Sequence, residues 1–117
     1  MAVKRIVADL HAGDPGASRG FYEQVVGLEV AMDHGWIVTF AAPGDHRVQL
    51  SVMAQDASAP VAPDVSIEVD DVDAAHAAAV ARGDEIVHPL TDEPWGVRRF
   101  FVRDPSGKVI NILTHPA

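Results

Sequence analysis

The chain has no cysteine among its 117 residues, which excludes a disulfide framework, a thiolate metal site and a cysteine nucleophile. Any metal would have to be held by imidazole, carboxylate or amide oxygen. Positive charge is also scarce: 9 Lys and Arg stand against 17 Asp and Glu, for a net charge of −8. Without a clustered basic surface no nucleic-acid partner is expected. Long apolar runs are missing as well, so neither a membrane span nor a secretory signal is expected and a cytoplasmic location is the default. Familiar catalytic signatures are absent: the chain has no Gly-x-Ser-x-Gly elbow, phosphate loop, dinucleotide fingerprint, His-x-His pair or His-Glu-x-x-His helix.

What is present suits a small folded domain, with 48% apolar and 22% charged residues in a length that supports one core. Lys4 to Leu10 alternates as a strand, with Ile6, Ala8 and Leu10 on one face and Arg5, Val7 and Asp9 on the other. Asp14-Pro15 offers an N-cap and a first-turn proline. Ala17, Phe21 and Val25 then recur at helical spacing, and Gly27 closes the helix. Strands follow at Leu28 to Met32, Trp36 to Ala41 and His46 to Met53. Residues 55–63 carry three polar residues and two prolines without periodicity and read as a linker. Beyond it come a strand from Asp64 to Val69, an Ala-rich helix capped by Asp70 or Asp71 and stopped by Gly83, a strand from Glu85 to Leu90, and a closing hairpin. That hairpin runs through Pro94-Trp95-Gly96, Arg98 to Arg103, the turn Asp104-Pro105-Ser106-Gly107, and Val109 to Leu113.

The two halves match element by element. Asp14 corresponds to Asp71, Gly27 to Gly83, and Trp36 to Trp95, all at a nearly constant offset. The expected fold is therefore α+β, a single domain over 1–117 made of two tandem βαβββ units, 1–54 and 64–117. One helix covers only one face of each four-stranded sheet, so the other faces are expected to line a cleft, although a repeat of this kind can also be purely structural.

The order Asp14…Ser18…Phe21-Tyr22…Gly27-Leu28, then Ile67-Glu68-Val69-Asp70-Asp71-Val72-Asp73-Ala74-Ala75, then Pro94-Trp95-Gly96-Val97-Arg98…Phe101…Asp104-Pro105-Ser106-Gly107…Ile110, resembles the vicinal oxygen chelate superfamily. That group includes glyoxalases, extradiol dioxygenases, methylmalonyl-CoA epimerase and bleomycin resistance proteins. The resemblance implies metal ligands on the first and last strands of each unit. Those positions here are Val7, Gln49, Asp64 and Asn111. One carboxylate and two amides are a poor donor set for a divalent metal, so no cofactor is expected. Asp9, His11, Glu68 and His115 lie near these positions, and an alignment offset of one or two residues that placed two of them inward would restore a metal such as Zn, Ni, Mn or Fe.

The resemblance therefore points to a binding protein more than an enzyme: a homodimer holding an aromatic or cationic small molecule without metal, in the manner of drug sequestration and antibiotic resistance. The alternative is a metal-dependent lyase, isomerase or dioxygenase with an atypical ligand set. Expected cleft residues are Trp36, Val38, Phe40, Gln49, Asp64, Trp95, Arg98, Phe101 and Asn111. Arg98 and Arg99 point to opposite faces: either one of them anchors an anion in the cleft or both are structural ion-pair partners. Core packing is the expectation for Phe21 and for one of Phe100 and Phe101, His76 is expected at the surface or its boundary, and the face taken by His88 is left open.

Overall fold

A computed structural model describes residues 1–116; Ala117, the last residue of the expected second unit, lies outside them. Contacts divide the chain into one unit of residues 7–62 and another that begins at Pro63 and also takes in residues 1–6. Strand β1 (Val3–His11) is thus divided between the units. The reason is local. Ala2 and Asp70 exchange two hydrogen bonds, 2.8 and 3.0 Å, and Arg5 Nε pairs with Glu68 at 2.9 Å.

In the 7–62 unit, strands β2 (Glu29–Asp33), β3 (Ile37–Ala42) and β4 (Asp45–Met53) form an antiparallel series, and β1 joins β4 in parallel through Ala8↔Leu50 and Leu10↔Val52. In the second unit, β6 (Ile86–Asp92), β7 (Arg98–Arg103) and β8 (Val109–Thr114) repeat that series, and β5 (Val65–Val69) joins β8 in parallel through Ser66↔Asn111. In each unit the first strand lies parallel beside the last, so the repeat visible in the sequence is a repeat of topology.

The helices differ. Helix α2 (Val72–Arg82) is regular: Asp71 accepts a hydrogen bond from Ala74 N at 3.0 Å, and Gly83, at φ +80°, returns its N–H to the last turn. Its buried face of Val72, Ala75 and Ala79 packs on Val69, Phe100 and Val102. The corresponding stretch in the 7–62 unit is a 3-10 turn at Pro15–Ser18, a single α turn α1 (Arg19–Phe21) and a wide π turn at Tyr22–Val26, closed by Gly27 at φ +83°. The expected regular helix is not formed there, and the Asp14 side chain makes no cap bond. Gly16 and Gly20 weaken the helical register and Val25-Val26 crowd it. Tyr22 enters the core, with its ring 5.1 Å from Phe40, whereas Phe21 is 55% exposed, contrary to the expectation that it packs inside.

Candidate functional site

Strand alternation sorts the side chains of the second unit into an apolar face under α2 and a polar, aromatic face opposite it. Phe100, Val102, Ile110 and Ile112 lie under the helix. Arg98 shares their side. Its guanidinium reaches Asp73 on α2 at 2.8 Å and Asp92 at 3.1 Å, so the Asp73 carboxyl is held below the usual range by the hydrogen bond from Arg98. Arg98 is therefore an ion-pair partner and not an anion anchor on the opposite face.

Arg99 occupies the opposite face and is almost fully buried. Both its Nε and an Nη lie 2.7 Å from Glu93 Oε2. Its guanidinium carbon stands 5.1 Å from the Trp95 ring centroid and 4.8 Å from that of Phe101. Glu93 is fixed by the tight turn that joins β6 to β7, where its N–H donates to Val97 O at 2.7 Å and its carbonyl accepts from Gly96 N at 3.1 Å. On the far side of Glu93 sits His88, Nε2 3.5 Å from Oε2, with its ring 5.2 Å from Phe101. Within this group Trp95 is half exposed, while Phe101 is fully covered.

A register shift on each side of His88 explains its orientation. Ile86 pairs with Val102 under the helix, yet His88 pairs with Phe101 on the other face, because bulges interrupt the alternation of β6. Asn111 pairs with Phe101 from the opposite side. Its Nδ2 donates to Ser66 Oγ at 3.0 Å, while its buried Oδ1 has no hydrogen-bond partner; the same is true of His88 Nε2. Asp64 is tied to β8, accepting from Val109 N at 2.9 Å. At the end of the same face Glu68 is shared by Arg5 and His115. Burial acts to raise its pKa, but the His115 hydrogen bond and the Arg5 charge outweigh that and lower it.

In the 7–62 unit, the face opposite the helical segment carries Val7, Asp9, Thr39, Ser51 and Met53, all buried, and a Thr39–Ser51 hydroxyl pair at 2.8 Å. Gln49, also on this face, donates its amide to the His46 carbonyl. Val38 and Phe40, expected to line a cleft, are instead fully buried in the core beside Tyr22, Leu28 and Val52. Trp36 precedes β3 and stacks on His34 with ring centroids 6.3 Å apart. Of the expected site residues in the second unit, Trp95, Phe101 and Asn111 are accompanied by Arg99, Glu93 and His88, while Asp64 is tied to the start of β8. An acidic residue before the Trp95-Gly96 turn and a basic one after it, Glu93 and Arg99, were the available signal for that grouping.

Among the described residues no group of three or more His, Cys, Asp or Glu side chains is placed to hold a metal ion. The donors do not fit the metal centre that the resemblance implies.

The family model of the Glyoxalase/Bleomycin resistance protein/Dioxygenase superfamily matches residues 4–112. The chain belongs to that superfamily. No curated protein matches it significantly in sequence. Among solved structures similar to this superfamily member, one described as an NAD-dependent benzaldehyde dehydrogenase from Legionella pneumophila superposes with a TM-score of 0.73 at 19% identity, covering 95% of this chain and 99% of that one. A methylmalonyl-CoA epimerase from Streptomyces coelicolor gives 0.70 at 19%, covering 99% and 100%. The Mn(II)-bound glyoxalase from Novosphingobium aromaticivorans gives 0.68 at 21%, covering 98% of this chain and 39% of that one. At such identities the likeness concerns the fold, and these neighbours carry different chemistries on it.

Proposed function

We propose that the chain is a small-molecule-binding member of its superfamily that holds a flat aromatic ligand beside Trp95 without a metal, a sequestering role of the drug-resistance type. The observation that carries this reading is the donor set. The strand positions where a metal-dependent relative would place imidazoles and carboxylates hold Val7, Gln49 and Asn111, and the remaining carboxylate, Asp64, accepts a backbone N–H of β8. Geometry favours an aromatic ligand over a cationic one. Arg99 already lies against Trp95 and Phe101, so a second cation would meet a like charge there. The half-exposed indole of Trp95 remains a stacking surface.

The same reading includes a homodimer, supported by apolar side chains left exposed at Ile6, Leu10, Phe21 and Val25. A cytoplasmic location belongs to it too; no helix among the described residues is long and apolar enough to cross a membrane.

Titration with a panel of planar aromatic compounds and bleomycin, followed by Trp fluorescence and thermal melting, tests the proposal. Quenching accompanied by a raised Tm is expected for at least one aromatic compound. Neither effect across the whole panel would overturn it.

A further inference from the structure

We infer that the groove between α2 and the β7–β8 hairpin is a further small-molecule site, and that its ligand is an uncharged aliphatic molecule with a hydrogen-bond acceptor at one end. The groove lies on the helix-covered face of the second unit, opposite the face that carries Arg99 and Phe101. It therefore stands apart from the aromatic site proposed above and does not rest on it.

The groove originates in the composition of the helix. On this side α2 presents Ala75, Ala78 and Ala79 to Val102 and Ile112 of the sheet. Alanine ends at Cβ, so no side chain of the helix reaches across the space that a leucine would fill. What is left is a cavity of about 410 Å³, within the size range of sites that hold small ligands. From Ala75 to Arg82 the helix rises about 10 Å, which sets the length of chain the groove can cover.

The lining decides the body of the ligand. Its described residues include no aromatic ring, so a flat ligand finds nothing to stack on, whereas the alanines, Val102 and Ile112 offer aliphatic carbon throughout.

The head follows from charge. Arg82, Asp84, Arg103 and Asp104 gather at one end, where the last turn of α2 approaches the hairpin turn. They are already matched. Arg82 Nε donates to Asp84 Oδ2 at 3.0 Å, Arg103 Nη1 donates to Gly107 O at 3.0 Å with its Nε 3.4 Å from Glu85, and Asp104 accepts from Ser106 N, Ser106 Oγ and Lys108 N. A ligand anion would meet Asp84 and Asp104 there and a ligand cation would meet Arg82 and Arg103, so net charge of either sign is disfavoured. A guanidinium carries five N–H donors, and these bonds leave several on each arginine for a neutral acceptor such as a ketone oxygen.

The test measures three eight-carbon probes by equilibrium dialysis: 2-octanone, octanoate and octylammonium. Wild-type protein is expected to bind 2-octanone saturably and about fivefold or more tighter than either charged probe. Ala78→Leu places a good helix former at an exposed position of the groove wall, fills the cavity and should weaken 2-octanone binding by about tenfold or more. Circular dichroism and Tm establish that the variant folds; should it not, Ala78→Met takes its place. The double variant of Arg82→Met and Arg103→Met should weaken 2-octanone by about threefold or more. No saturable binding of 2-octanone, equal or tighter binding of a charged probe, or an affinity unchanged by filling the groove overturns the inference. Loss of 2-octanone binding in Trp95→Ala, with the Ala78 variant unaffected, would place the probe beside Trp95 and overturn it as well. The aromatic proposal is decided separately, by its own titrations.

Discussion

The two βαβββ units share one topology and differ in what they place on the face their helix leaves uncovered. In the 7–62 unit that face carries a neutral hydroxyl pair, Thr39 and Ser51, among apolar residues and Asp9. Its counterpart in the second unit carries Arg99, Glu93, His88 and Asn111 around Phe101. The helices differ in the same sense, α2 being regular and capped while residues 15–26 change from 3-10 to α to π geometry. A duplicated scaffold has thus kept its strand order while its chemistry became unequal. A buried ion pair is weak evidence of stability, because desolvation consumes much of its attraction, so the Arg99–Glu93 pair does not by itself make the second unit the more stable one.

The largest expected effect that would break this comparison is Glu93→Ala. Removing the carboxylate leaves the Arg99 guanidinium buried without its nearest partner and should cost about 3–5 kcal/mol in denaturant unfolding. The equivalent disturbance in the other unit, Thr39→Val, should cost about 1 kcal/mol, since it removes one neutral hydrogen bond. Comparable losses from both would mean that the two faces are energetically alike.

A smaller contrast concerns the helix starts. Asp71→Ala removes a formed cap bond and should cost about 1 kcal/mol, while Asp14→Ala, whose side chain makes none, should fall within about 0.5 kcal/mol of wild type. Equal costs would place a working cap at Asp14.

The smallest effect is acid sensitivity. The carboxyls of Glu68, Asp73 and Asp104 in the second unit are all held low. For Glu68 the His115 hydrogen bond and the Arg5 charge exceed the opposing effect of burial, for Asp73 the cause is the Arg98 hydrogen bond, and for Asp104 it is the bond from the Ser106 side chain. A carboxyl whose folded pKa lies below its unfolded value contributes stability that is present above about pH 4 and lost as pH falls through the folded value. Melting temperature should therefore fall below about pH 4, and Glu68→Gln should flatten part of that fall. An unchanged slope would remove Glu68 from the account.

Much of the scaffold was legible because its signals are local. Gly27 and Gly83 mark the two helix ends, the Asp104 turn sets a hairpin, and the repeated order of elements implies the paired units. Side-chain faces were harder to read. Apart from Thr39, residues 36–41 are apolar at both parities of β3, so alternation gave little sign that Val38 and Phe40 belong to the core. Parity established that Arg98 and Arg99 diverge, but the partners that decide their roles, Asp73 and Glu93, are tertiary contacts. His88 was harder to read for a different reason: a bulge moves it across the sheet, and although Pro89 within the second register shift marks an interrupted strand, it does not say which face His88 takes.

The central claim, metal-free binding of an aromatic molecule beside Trp95, is tested most directly with Trp36→Phe protein, which leaves Trp95 as the sole indole. This protein would be dialysed against a chelator, analysed for metal content and titrated with planar aromatic compounds while Trp95 emission is followed. The account predicts saturable quenching that survives chelation, with no stoichiometric Zn, Ni, Mn or Fe before or after it. Stoichiometric metal in the purified protein, with quenching lost on chelation, would contradict it.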